Sequence, residues 1–372
     1  MVAARERMLN YLKETQDLES KDVIHKLVAY ASDQPGVLEQ AIEEDTKAGL
    51  IPFFVTASIG TTSTGAVDNI PGIVQACATS RIWVHVDAAY AGSAMVCPEF
   101  RHHMAGVEGV DSFDFNPHKW LLVHFDCSCL FVKKMSDIAN ALTIYPYYLR
   151  YKEHDQGLVE NFSDYQIPLG RRFRALKVWF TLRSYGQTGL QEYIRRHVQL
   201  AQNVKAAIEN DPRFEVVNTV HFSLIGLRLR PAACVPHLVD KETDEVLSKK
   251  IESITNSYNL KLHEHINQSG IFVTKGDLHG KTFIRMSISG FNTTQETVSR
   301  AWGIIQASAD HVLSTSQGAI MNGCGDWVVV PSPNALEESP SGLNIRCHPW
   351  EPPRGEPSMF PDIEIQAAPI ND

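Results

Sequence analysis

The 372-residue sequence lacks the features that would place it in several large classes. No apolar run approaches the ~18–20 residues of a membrane helix, so no helical span is expected. No run of Lys and Arg is long enough to suggest a nucleic-acid surface or a patch for anionic lipid. The 34 basic and 43 acidic residues leave a net charge of −9. Cysteine is scarce: there are seven, an odd number, and Cys127 and Cys129 form the only close pair. No four-ligand zinc spacing appears, so these read as reduced thiols of a cytosolic protein. Adjacent His102 and His103 have no acid at ligand spacing, which argues against a metal site there. The first residues, Met-Val-Ala-Ala-Arg-Glu-Arg, lead into an amphipathic segment rather than a secretory apolar core.

The length suits two domains, and strand and helix signals alternate along the first half. A helix is expected over residues 2–16 and a strand over 22–32. Ser32-Asp-Gln-Pro-Gly36 signals a turn; a helix follows over 37–48 and a buried strand over 51–59. Asp68-Asn69 starts a helix over 70–78, and Ile82 to Val86 reads as another buried strand. This alternation predicts an α/β domain with a mostly parallel sheet and helices on both faces. A further buried strand is expected over 127–132. Helices follow from Ile167 to about Tyr185 and from Leu190 to Glu209, stopped by Asn210-Asp-Pro212. Strands over 214–217, 222–229, 272–273 and 283–288, with helices over 243–258 and 295–313, make a small α+β domain. The expected boundaries are 1–190, 191–313 and a tail, 314–372. The tail is rich in Pro, Gly and Ser and is expected to be disordered.

The chemistry centres on Asp111-Ser-Phe-Asp-Phe-Asn-Pro-His-Lys-Trp120. Lys119 sits among aromatic and apolar residues. A lysine held among apolar groups becomes a nucleophilic amine able to form a Schiff base. On its own it equally suits a snorkelling side chain at a strand end. Upstream, the 82–86 strand ends in a lone acid, Asp87, followed by small residues. In an open α/β sheet ligands sit beyond the carboxyl ends of strands, where Asp87 could keep a ring nitrogen protonated or merely cap a helix. A lysine and a carboxylate of this kind are what a pyridoxal 5′-phosphate (PLP) site requires. Gly60-Thr-Thr-Ser-Thr-Gly65 follows another strand; it suits either a phosphate-approaching loop or an ordinary turn, and it lacks the Gly-Lys-Ser/Thr end of a P-loop. Arg171, Arg172 and Arg174 suit either an anion site or inter-domain ion pairs.

Asn-Pro-His-Lys-Trp at 116–120, with His-Val-Asp-Ala-Ala-Tyr-Ala-Gly at 85–92, resembles the group II PLP-dependent decarboxylases, most closely those of aromatic L-amino acids. The resemblance covers roughly residues 1–315. It implies a fold-type I PLP-transferase-like large domain with a small C-terminal α+β domain, and a homodimer. It makes Lys119 the Schiff-base lysine and Asp87 the partner of the pyridinium nitrogen. Asn116 and Thr62 match cofactor-contacting positions, and His118 lies beside the reacting centre. Tyr145-Pro-Tyr-Tyr-Leu-Arg-Tyr151 resembles the family's mobile catalytic loop. In it Tyr148 takes the place of the tyrosine that protonates the carbanion, whereas a phenylalanine there goes with aldehyde synthases. Ser223 matches a position where serine goes with phenolic substrates and glycine with indolic ones. The implied reaction is decarboxylation of an aromatic L-amino acid, tyrosine or DOPA before tryptophan, by a cytoplasmic enzyme.

The resemblance also carries departures. The family's N-terminal dimerisation segment, aromatic substrate contacts and phosphate loop have no counterpart in these residues. No histidine lies between His25 and His85, so the family's ring-stacking role falls to no residue here. Several missing donors, each worth roughly 1.5–3 kcal/mol to a phosphate, would weaken coenzyme binding by orders of magnitude. The alternatives are an aldehyde synthase of the same family and a catalytically impaired fragment.

Overall fold

The first described helix is entered through a glycine. Gly36 takes φ 89°, a left-handed conformation that glycine adopts freely, and α1 (Val37–Lys47) starts directly after it. The structure is a computed structural model. It describes residues 36–79, 82–143, 159, 161–239, 245–316, 319–321 and 327–329. The expected helix over 2–16, the strand over 22–32, His25 and the tyrosine-rich segment with Tyr148 lie outside the described residues.

The first sheet has strand order β1 (Phe54–Ser58), β2 (Trp83–Asp87), β3 (Ser112–Phe115), β4 (Cys129–Val132). The first three strands run parallel, with Ser58 opposite Asp87 and Asp87 opposite Asp114; β4 pairs antiparallel with β3. Between β1 and β2 lies α2 (Ile70–Cys77), whose Asn69 cap accepts from the Gly72 N–H at 3.2 Å. Short 3₁₀ turns fill residues 91–109, between β2 and β3.

The strands are half-covered rather than buried on both faces. Val55, Ala57, Val84 and Val86 pack against Ile70, Cys77, Ala91 and Ala94. On the other face Trp83 Nε1 donates to Ser112 Oγ (2.8 Å), which contacts His85 Nδ1 (2.8 Å), while His85 Nε2 lies 3.2 Å from an Asp114 oxygen. Among the described residues one face thus carries the buried aliphatic side chains and the other the Trp83–Ser112–His85–Asp114 polar contacts. The period-2 alternation of a strand makes the two faces chemically different. β4 is an edge strand with Leu130 and Phe131 more than half exposed, so the expectation of a buried strand there fails too.

Helix α3 (Pro117–Trp120) is a single turn, and α4 (Met135–Leu142) follows β4. The segment 167–173 is not helical; α5 (Arg174–Glu209) starts after it and is broken at Gly186, which takes φ 62°, ψ 178°. The two predicted helices therefore meet at a residue in a conformation that is essentially glycine's own.

The second sheet is fully antiparallel, in the order β5 (Phe214–Val216), β6 (Leu224–Leu229), β8 (Lys281–Ser287), β7 (Thr274–Leu278). Short helices α6 (Pro231–Cys234) and α7 (Pro236–Val239) follow β6. The second half of α5, α8 (Glu245–Gln268) and α9 (Gln295–Ser316) close a core of Phe214, Ile225, Leu227, Leu262, Ile284 and Ile305. Beyond it, β9 (Ala319–Met321) and β10 (Trp327–Val329) pair antiparallel, so this part of the expected disordered tail forms a short ladder. The architecture is a parallel-rich α/β sheet followed by an antiparallel one.

Candidate active site

Parallel strands send their carboxyl ends to one edge, and the loops leaving that edge carry the sequence-predicted residues. Thr62 follows β1, Asp87 ends β2, and Asn116 and Lys119 follow β3. Main-chain bonds lock these ends together: the Ile59 N–H donates to Asp87 O (2.9 Å), Ala88 to Asp114 O (2.9 Å) and Asn116 to Ala89 O (3.0 Å). The Thr62 loop is closed by a hydroxyl contact between Thr61 and Thr64 (3.0 Å). It begins at Gly60, whose φ is 83° and where a Cβ would lie 2.5 Å from that of Ala91, so only glycine fits this approach.

Lys119 and Asp87 are both exposed. For Lys119 this corrects the expectation of a lysine enclosed by apolar groups. Successive side chains of a helical turn point about 100° apart. Trp120 takes the inward direction at 1% exposure, and Lys119 is left facing out. Asp87 Oδ1 accepts the Ala89 N–H at 2.9 Å, so its local turn-forming role is present as well.

Asn116 has a buried side-chain oxygen with no partner. His118 is part-buried. The Cys127 N–H donates to its Nδ1 at 3.0 Å, and Cys127 O lies 2.6 Å from the same nitrogen. The first contact needs a bare Nδ1 and the second a protonated one, so a change of ring protonation exchanges them. Arg172 and Arg174 pair with Asp126 (3.8 and 3.0 Å), and the Arg174 guanidinium holds that carboxyl below its usual range. Arg171 lies 4.2 Å from the Phe162 ring centroid. Arg172 and Arg174 are therefore ion-paired, but within residues 1–190 rather than across the expected domain boundary.

His103 packs between His102 (ring centroids 3.9 Å) and His221 (5.3 Å), and burial pushes its pKa down to about 4. Among the described residues no group of His, Cys, Asp or Glu could hold a metal ion. Ser223 is fully buried and meets the Tyr90 hydroxyl at 2.6 Å. Tyr90 stacks on Trp120, centroids 4.9 Å apart, and burial raises its phenol to about 12. Sequence reasoning missed this buried cluster. Tyr90 stood in the quoted motif, but nothing local announced its partners 30 and 133 residues away.

An exposed amine, a carboxylate one strand over and an unpaired amide at a single sheet edge can hold an aldehyde-bearing heterocycle. The model of the pyridoxal-dependent decarboxylase conserved domain matches residues 35–230. The chain belongs to the pyridoxal-dependent decarboxylase family. It is 38% identical over 342 residues to an aromatic-L-amino-acid decarboxylase of Cavia porcellus, covering 84% of this chain and 67% of that protein. It is also 38% identical to a phenylacetaldehyde synthase of a Rosa hybrid cultivar, covering 85% of this chain and 66% of that one. Among solved structures, Oryza sativa TDC with PLP and tryptamine superposes with a TM-score of 0.71 at 35% identity. That match covers 81% of this chain and 60% of the Oryza one. The chain thus spans about two thirds of the length of its curated relatives.

The coenzyme that goes with this decarboxylase family is pyridoxal 5′-phosphate. The residues present fit it: Lys119 would offer an amine to its aldehyde, Asp87 a carboxylate to its ring nitrogen, and the orphan Asn116 oxygen a polar contact left open. Among the described residues no helix is long and apolar enough to cross a membrane.

Proposed function

We propose that the chain acts in PLP-dependent decarboxylation of an aromatic L-amino acid to its amine and CO2. One observation carries this reading: Asp87 and the turn bearing Lys119 leave the carboxyl ends of adjacent parallel strands, joined by the Asn116–Ala89 main-chain bond. When bound, the coenzyme supplies a protonated ring that accepts the electron pair released as CO2 departs.

The chain's own residues do the rest. Lys119 would hold the coenzyme through its aldehyde. Asp87 keeps the ring nitrogen protonated by a charge-assisted hydrogen bond. Asn116 and Thr62 orient the coenzyme. His118, beside Lys119, and Tyr148 deliver the proton to the substrate carbon, the phenol acting as general acid once water is shut out.

Ser223 supports tyrosine or DOPA over tryptophan: its hydroxyl and that of Tyr90 form a buried polar pair beside Trp120. We assign the protein to the cytoplasm. A second copy of this chain covers the exposed apolar surface of β4 and the first half of α5, where Phe131, Phe173, Trp179 and Phe180 are each more than half exposed. They flank a groove of about 740 Å³. The 38% identity to the rose phenylacetaldehyde synthase favours a second reading, decarboxylation with oxidative deamination to the aldehyde, CO2 and ammonia, with dioxygen taking the two electrons as hydrogen peroxide.

The test is to add PLP to the purified chain and to its Lys119→Ala variant and follow a borohydride-reducible absorbance, then assay CO2, amine, aldehyde and ammonia. An adduct lost in Lys119→Ala, with amine released, upholds decarboxylation. Aldehyde plus ammonia upholds the second reading. An adduct without turnover leaves an impaired fragment, and no adduct at all overturns the proposal.

A further inference from the structure

The lysine turn cannot hold itself in place. It is four residues long and rests on two main-chain bonds, Lys119 N–H to Asn116 O and Leu121 N–H to Pro117 O, each 2.9 Å. So short a helix has no stability of its own. The next residue but one, Leu122, sits at φ 60°, a left-handed conformation that a branched side chain adopts only when its surroundings impose it. What the turn does have is an anchor. Trp120, next to Lys119, is buried, and its Nε1–H donates to His197 Nδ1 at 3.1 Å.

His197 comes from α5 and is itself fully buried. Its other nitrogen, Nε2, lies 3.1 Å from Gly290 O. An indole N–H only donates and a carbonyl only accepts, so the tautomer is fixed: Nδ1 bare, Nε2 protonated. Burial lowers the pKa of this ring to about 4, which keeps it in that neutral form at physiological pH. Tyr193 closes over the ring edge-on (centroids 4.3 Å) and donates its hydroxyl to Ser289 O at 2.8 Å. On its opposite side Trp120 stacks on Tyr90, which reaches Ser223, the residue before β6 of the second sheet. The indole is thus fixed by one hydrogen bond and one stacked ring, with nothing left free to rotate.

We infer that His197 is a positioning residue for the lysine chemistry: by accepting the Trp120 N–H and donating to Gly290 O, it sets where the turn presents Lys119 relative to Asp87. His197 touches neither coenzyme nor substrate and acts through Trp120. The inference rests on the function proposed above for Lys119.

The test compares His197→Leu, which removes both hydrogen bonds, with His197→Gln, whose amide keeps an acceptor and a donor. Trp120→Phe removes the indole donor but keeps a ring against Tyr90. Ile208→Ala, in the same helix but in the core of the second sheet, controls for lost stability. PLP is titrated into each protein, and the reducible absorbance at Lys119 and the thermal midpoint are recorded. His197→Leu and Trp120→Phe are expected to weaken adduct formation about tenfold, the loss of about one hydrogen bond. His197→Gln should stay within about threefold of the parent, and the double variant should be no worse than either single one. Ile208→Ala should melt earlier yet form the adduct normally. The inference is overturned if His197→Leu titrates like the parent, if Gln fails as badly as Leu, or if Ile208→Ala loses the adduct in step with its melting point. Should His197→Leu not fold, Trp120→Phe carries the same comparison.

A second readout needs no coenzyme: competitive acetylation of Lys119 against Lys249, an exposed lysine paired with Glu245. Its ratio should move about threefold in His197→Leu and stay put in His197→Gln, a difference of well under one hydrogen bond. If the parent forms no adduct with PLP, the coenzyme reading fails, and the acetylation ratio alone decides the positioning role.

Discussion

The two sheets of this chain are built to different standards of closure. The antiparallel sheet covers its large side chains: Phe214, Ile225 and Ile284 have no exposed surface, and three helices seal them. The parallel-rich sheet packs one face and leaves apolar side chains open along β4 and the start of α5, with Phe131 at 58%, Phe173 at 71% and Trp179 at 54% exposure. The exposed amine and carboxylate belong to that open sheet. Its parallel strands send their carboxyl ends to one side, where a ligand can sit, whereas antiparallel strands point their ends both ways. The chemistry therefore falls to the part whose strands end in short polar loops, and stability falls to its neighbour.

The largest expected effect breaks the comparison directly. Phe214→Ala empties a sealed site and should cost about 3–5 kcal/mol in urea unfolding, whereas Phe131→Ala should change stability by less than ~0.5 kcal/mol in the monomeric chain. Equal losses would mean that β4 is covered in solution.

His197 joins the two sheets, and its titration sharpens the contrast. Its folded pKa of about 4 lies below the ordinary histidine value of about 6.5. Its neutral form therefore contributes stability that is fully present above pH ~6.5 and is lost as pH falls towards 4, up to roughly 3 kcal/mol. Thermal melts from pH 7.5 to 4 should fall more steeply for the parent than for His197→Gln. Parallel curves would remove His197 from the acid sensitivity.

Arg228 is next. It is fully buried, 2.6 Å from Glu252 and 3.7 Å from Glu215. Glu252→Ala should cost roughly 2 kcal/mol, because a buried cation keeps only its more distant carboxylate. The exposed Arg195–Glu99 pair of the open sheet, at 2.6 Å, should yield under ~1 kcal/mol in a double-mutant cycle.

A modest effect lies at the break in α5. Gly186→Ala has open space for its methyl group but a backbone at φ 62°, so strain alone should destabilise by about 1–2 kcal/mol. A neutral result in chemical denaturation would show that the helix can straighten there.

Much of the fold was legible because local signals coincide with it. Pro35-Gly36 and Asp68-Asn69 mark real helix starts, and Asn210-Asp-Pro212 marks a real end. The strands over 214–216 and 224–229 fall where alternation placed them, while α8 runs ten residues past Tyr258 to Gln268. The reading of buried strands failed because an apolar run does not say how many of its faces are covered. For the candidate site, residues 62, 87, 116 and 119 were legible as a linear pattern at strand ends. The burial of Lys119 was not, since one turn of helix decides which neighbour faces inward.

By itself the sequence determined the family, a lysine and an acid at strand ends, and the order of strands and helices, because those depend on residue type and short spacing. Only the tertiary structure decided that Lys119 stands free while Trp120 is buried, that Ser223 meets Tyr90 across 133 residues, and that His197 grips the indole across 77. Contacts of that range are set by how layers pack, and no periodicity within a segment encodes which distant side chain will lie on the other side.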